Sequence, residues 1–156
     1  MSINLVLKSS KALNYINGVA DFFVNWNNFI PEDESYCEYN LSFSYISENS
    51  SSLAGTDLYS LEVDLGTNLQ ILGSSDSNQN ANAGTENTIG YVRPDYNHTH
   101  FRMRSDYADN PPVTIKGRPS NNNVKISLRD LSGTISEKEP AFLLIMRFEK
   151  LKKDEY

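Results

Sequence analysis

The sequence predicts an all-β protein: a two-sheet antiparallel sandwich, a single jelly roll of about eight strands. Three observations carry that expectation. Residues Ser35 to Glu48, SYCEYNLSFSYISE, alternate so that Cys37, Tyr39, Leu41, Phe43 and Tyr45 share one face and Glu38, Asn40, Ser42 and Ser44 the other, which is the period of a half-buried strand. Short runs of aromatic and β-branched residues recur along the chain between breaks rich in Gly, Pro, Asn and Ser, as strands joined by turns require. No segment carries the 3.6-residue apolar period of a long amphipathic helix. A seven-stranded immunoglobulin sandwich would bring a cysteine pair around a buried Trp, and this chain has one cysteine, Cys37.

Taken in order, Ile3–Lys8 alternates around Leu5 and Leu7 and ends at Ser9-Ser10. A polar connection leads to Val19–Trp26, a second strand bounded by Gly18 and Asn27-Asn28, and Pro31 enforces a turn after Phe29. The long third strand places Cys37 inward as a small apolar group. Leu58–Leu65 sets Tyr59, Leu61, Val63 and Leu65 on one face, and Gly66 closes it. Asn68–Leu72 is a brief strand, and Gly73–Asn87, which has no large apolar residue, is an exposed loop that projects for contact or stays disordered. Thr88–Arg93 and Thr99–Arg104 read as two strands around a turn at Pro94–Asn97. Asp109–Pro112 is a rigid turn, Val113–Lys116 a strand, Gly117–Asn123 a polar loop and Val124–Leu128 a strand. After a connection over Asp130–Glu139, Ala141–Leu151 is apolar on both faces near its start and is expected to be covered on both. Residues 1–151 thus form a single jelly-roll domain and residues 152–156 a charged tail.

A chain of 156 residues is one domain with a core that needs no staple. Lys and Arg total 14 against 20 Asp and Glu, a net charge of -6, which argues against direct nucleic-acid binding. No run approaches the ~18 apolar residues of a membrane span, and the first fifteen residues lack the apolar core of an export signal. The sequons at Asn40, Asn49 and Asn97 read as unmodified, Asn40 lying within a strand.

Chemistry is sparse. His98 and His100, the two histidines, would leave one face of a strand about 7 Å apart, with Asp95 and Asp106 near in sequence. A transition-metal site needs three or four converging ligands, so no metal and no cofactor is assigned. Cys37 sits in a strand interior away from either histidine, no nucleophile elbow or phosphate-cradling loop is present, and Glu32/Glu34 and Asp106/Asp109 lie in turns where carboxylates stay solvated. The expectation is no catalytic residue and no enzyme. Trp26, Tyr36, Tyr91, Tyr96, Phe101 and Tyr107 are the aromatics that alternation does not assign inward, and such residues line subunit contacts or stack on sugars.

Three segments together carry a resemblance: Ala20–Ser47, Ser60–Gly66 and Asn123–Leu151. Their order is an aromatic strand ending in a Trp-centred turn, a long alternating strand, then an isoleucine-rich strand, a polar turn and a terminal strand closing in Phe-Glu-Lys. This pattern resembles the single jelly-roll minor capsid proteins of large icosahedral double-stranded DNA viruses, the nucleocytoplasmic large DNA viruses and virophages. The resemblance implies a structural component of the virion capsid, assembled in the host cell interior with other capsid proteins, including a major capsid protein. Symmetric closure leads one to expect a trimer or pentamer, with Trp26, Phe29, Tyr91, Tyr96 and Phe101 at the contacts. The alternative is a carbohydrate- or receptor-binding, fibre-head-like module using Trp26 and the loop Asp95–His100. A hydrolase would have to rest on Asp95 and His98.

Overall fold

Alternation along residues 38–47 has the consequence that its period dictates: Tyr39, Leu41, Phe43 and Tyr45 are buried while the residues between them are half-buried. The structure, a computed structural model, describes residues 2–34, 37–48, 58–66, 68–70, 88–97, 100–136 and 138–151. Its strands are β1 (Ser2–Lys8), β2 (Asn14–Ile16), β3 (Val19–Phe23), β4 (Glu38–Ser47), β5 (Tyr59–Asp64), β6 (Asn68–Gln70), β7 (Thr88–Asn97), β8 (His100–Ser105), β9 (Val113–Lys116), β10 (Asn123–Arg129) and β11 (Phe142–Lys150). Every strand pairing is antiparallel, and the helical elements among the described residues are short 3-10 turns. The all-β sandwich is as expected, with eleven strands among the described residues rather than about eight.

One layer runs β1-β11-β4, with β9 and β8 sharing the far edge of β4 and β6 added to β9. The other runs β2-β3-β10-β5-β7. Consecutive strands β3, β4 and β5 switch layers in turn, as do β10 and β11, which is a jelly-roll-like path. β7 belongs to both layers: Thr88–Val92 pairs with β5, and Arg93–Asn97 pairs with β8. Among the described residues the sandwich is therefore closed on one side by a shared strand and open on the other, where β1 and the β2–β3 hairpin end the two layers.

Between the layers lies one core, with Phe142 bridging it. Its ring stacks on Tyr45 at 5.5 Å and meets Tyr15 and Phe22 edge-on at 5.6 and 6.2 Å. Truncating such a ring to Ala costs about 3–5 kcal/mol.

Several expectations are corrected. Val19–Trp26 does not run through as one strand. β3 stops at Phe23, the Asn25 side chain accepts the Asn27 N–H at 3.2 Å, and a 3-10 turn over Trp26–Asn28 carries the indole inward. The turn expected at Pro94–Asn97 is strand. Pro94 stands opposite Met103, whose N–H donates to Ser47 Oγ at 2.9 Å on the β4 side. Pro94 thus occupies a non-hydrogen-bonded position of the β7–β8 ladder, where its missing N–H takes nothing away. The polar connection after β1 contains β2, joined to β3 by Asn17-Gly18 at φ 54° and 79°, the left-handed pair of a tight hairpin turn. Leu143 and Ile145 are half-buried, so the second face of β11 is not fully covered. The loop Gly73–Asn87 and the tail at residues 152–156 lie outside the described residues.

Burial pushes the phenols of Tyr45 and Tyr15 well above the ordinary value of 10.0, with the Glu139 carboxylate adding to the rise at Tyr15. A raised folded-state pKa gives stability that is fully present below the unfolded value and lost as pH climbs above it. From about pH 7 upward, unfolding free energy from urea titrations is expected to hold until about pH 10 and to fall beyond it, with Tyr45→Phe reducing the slope. At Gly90 an added Cβ would lie 2.5 Å from Phe43 Cε1 and 2.8 Å from Asn110 Cγ. Gly90→Ala is expected to cost about 1–3 kcal/mol by overpacking, read as a lower urea midpoint.

Candidate functional site

A β-ladder has a parity that tells which backbone groups of an edge strand face outward. In the β4–β11 pair, Glu48 N–H donates to Ala141 C=O at 2.7 Å and Leu151 N–H to Glu38 C=O at 2.9 Å. Odd-numbered residues of β11 therefore turn their polar groups to β4 and even-numbered ones to β1. The Phe142 N–H, which donates to Ser9 Oγ at 2.9 Å just past the end of β1, agrees. With the register Ile3↔Phe148, Leu5↔Met146 and Leu7↔Leu144, the backbone groups of Ile3, Leu5 and Leu7 are taken by β11. Those of Ser2, Asn4, Val6 and Lys8 point off the edge of the sheet.

Apolar surface gathers at the same side. Among the described residues, four of the seven exposed large hydrophobics fall here: Val6 at 51%, Leu13 at 66%, Ile16 at 61% and Phe23 at 62%. Between β1 and β3 runs an open groove of about 700 Å³, lined by Leu5, Val6 and Leu7 of β1, by Phe22, Phe23 and Val24, and by Lys8 and Lys11. Alternation explains the exposure of Phe23: adjacent residues of a strand face opposite ways, so of Phe22 and Phe23 one has to be outside.

The closed side is finished differently. The Asn110 carboxamide accepts from Tyr91 N–H at 3.0 Å and donates to Tyr91 C=O at 3.0 Å and to Ser105 Oγ at 2.9 Å. It stands in for a further strand, and Gly90, lacking a Cβ, lets it approach. Further along β7, Pro94 blunts the edge, since a residue without N–H cannot donate to an incoming chain.

Of the five residues predicted at the contacts, three have described side chains: Trp26 and Phe29, which touch, and Tyr91, which lies apart from them. Trp26 is 3% exposed, edge-on to Phe148 at 5.7 Å, with its indole N–H donated to Asn121 C=O at 2.7 Å. It is a core residue, which corrects its assignment as a surface contact. Phe29 packs against Trp26 at 6.4 Å and borders the groove, half-buried. Tyr91 is half-exposed on the closed side. Tyr96 and Phe101 face one another in the β7–β8 register, and their side chains lie outside the described residues. The β1 edge and Phe23 were not foreseen from the sequence. Two signals pointed to them: a seven-residue strand without Pro or Gly, and a Phe-Phe pair within a strand.

Among the described residues no three or more His, Cys, Asp and Glu side chains gather to hold a metal ion; His98, Thr99 and the side chains of Asp95 and His100 lie outside them. Cys37 is half-buried against the core. No helix among the described residues is long and apolar enough to cross a membrane. Compared with protein-family models and with curated protein sequences, the chain matches none.

Asn110→Ala is expected to strip the Tyr91 backbone of both partners and to cost about 1–3 kcal/mol in urea unfolding. The same variant should scatter more light at rest than the parent chain, because it bares an edge that was capped.

Proposed function

We propose that the chain is a structural virion component, a minor capsid protein whose open side docks onto another capsid chain during assembly of the shell. The observation that carries this reading is the asymmetry of the sandwich. One side is closed by β7 and by the Asn110 amide. On the other, no strand among the described residues pairs with the outer edge of β1, and Val6, Leu13, Ile16 and Phe23 on the edge elements are exposed. Proteins that work alone guard such edges with Pro, bulges or inward charges, and clustered exposed apolar residues mark interaction surfaces. The resemblance of three segments to single jelly-roll minor capsid proteins supports the same reading.

The expected ring of three or five copies requires a head-to-tail contact between two different patches. A strand edge that can meet its own copy supports a two-fold contact instead, with other capsid proteins, a major capsid protein among them, as neighbours. Of the two supports of the carbohydrate-binding alternative, the Trp26 ring is enclosed, and the side chains of the loop Asp95–His100 lie outside the described residues.

The test is purification of assembled shells. The chain is expected at a fixed ratio to a major capsid protein through successive density gradients, with no binding on a glycan array. Loss of the chain from washed shells, or saturable glycan binding by the purified chain, would overturn the reading.

A further inference from the structure

We infer that β1 pairs with β1 of a second copy, antiparallel about a two-fold axis through Leu5, joining the β1-β11-β4 layers of two molecules into one continuous sheet. The inference deepens the shell reading and rests on it for its setting.

Parity permits the pairing and register selects one form of it. The outward groups of β1 are those of Ser2, Asn4, Val6 and Lys8, so hydrogen-bonded pairs must form between even-numbered residues. Full overlap of the seven-residue strand puts Ser2 opposite Lys8 of the partner and Asn4 opposite Val6, and the two strands exchange about eight backbone hydrogen bonds. Leu5 meets Leu5 and Ile3 meets Leu7 on the inner face, so every buried residue stays buried.

Charge singles out that register. Ser2 lies beside Glu149 of its own chain and Asn4 beside Arg147. With Lys8 opposite Ser2, its ammonium lies two strands, about 10 Å between Cα atoms, from the second copy's Glu149 on the same face, within joint reach of both side chains. The contact occurs twice by symmetry. Sliding by one pleat to put Val6 opposite Val6 would move Lys8 opposite Asn4 and beside Arg147, a like charge. Within one chain Lys8 stands opposite Leu143, at the far end of the ladder from Glu149. Among the described residues neither has an ion-pair partner of its own.

Sedimentation with light scattering on the purified chain tests this. The parent chain is expected at twice 17.6 kDa. Val6→Pro removes an outward N–H that β11 does not use, so it should yield a monomer with an unchanged circular dichroism spectrum. Lys8→Glu and Glu149→Lys should each raise the dimer dissociation constant about tenfold or more, and the double variant should restore it. A parent chain that stays monomeric up to its solubility limit, a dimeric Val6→Pro, or a double variant no tighter than the singles would overturn the pairing. If the pairing fails while the chain still travels with shells, the capsid reading stands without it. A β1-dependent dimer absent from shells would uphold the pairing and overturn the capsid reading.

Discussion

The nine-residue register between β4 and β11, from Phe142↔Ser47 to Lys150↔Tyr39, is the constraint on which the rest of the molecule depends. A slip of one residue would turn Phe142, Leu144, Met146 and Phe148 out of the core at once. Phe142, held between Tyr45, Tyr15 and Phe22, makes that slip expensive because it closes contacts to both layers. The same register fixes which backbone groups of β11 face β1, and through them which groups of β1 face solvent. A core decision taken by aromatic packing thus reaches the surface as a pattern of exposed donors and acceptors.

The two sides of the sandwich manage their edges by opposite means. On one side β7 passes from layer to layer, Pro94 sits where no donor is needed, and Asn110 reaches over Gly90 to hold the Tyr91 backbone. On the other side β1 ends its layer with neither proline nor bulge, and β2 covers only Val19 to Asp21 of β3, leaving Phe23 beyond it. A difference of this kind within one small domain is what a component with a preferred docking side needs. The features that keep one edge solitary are thus absent from the β1 edge.

Much of the fold was legible in the chain because alternation is a local signal. Glu38–Ser47, Tyr59–Asp64, Asn123–Arg129 and Phe142–Lys150 all bury the residues that a period of two assigns inward. Short elements were less legible. The three-residue β2 carries too little pattern to stand out, although Asn17-Gly18 is a strong hairpin signal. Pro94 reads as a turn because its suitability for a strand depends on Met103 giving its N–H to Ser47, a fact of tertiary pairing. Trp26 reads as exposed because the 3-10 turn that carries it inward is set by the Asn25 cap and by Asn121, 95 residues on. The open side was hidden for the same reason: an edge is defined by which strand is missing beside it, and no single segment records that.

Amide hydrogen exchange along β1 tests the central claim most directly, since it reads each backbone N–H separately. In dilute solution Ile3, Leu5 and Leu7 should exchange slowly while Asn4 and Val6 exchange quickly, and on concentration Asn4 and Val6 should slow to join their neighbours. Uniform protection in dilute solution, or fast exchange at Asn4 and Val6 at every concentration, would contradict it.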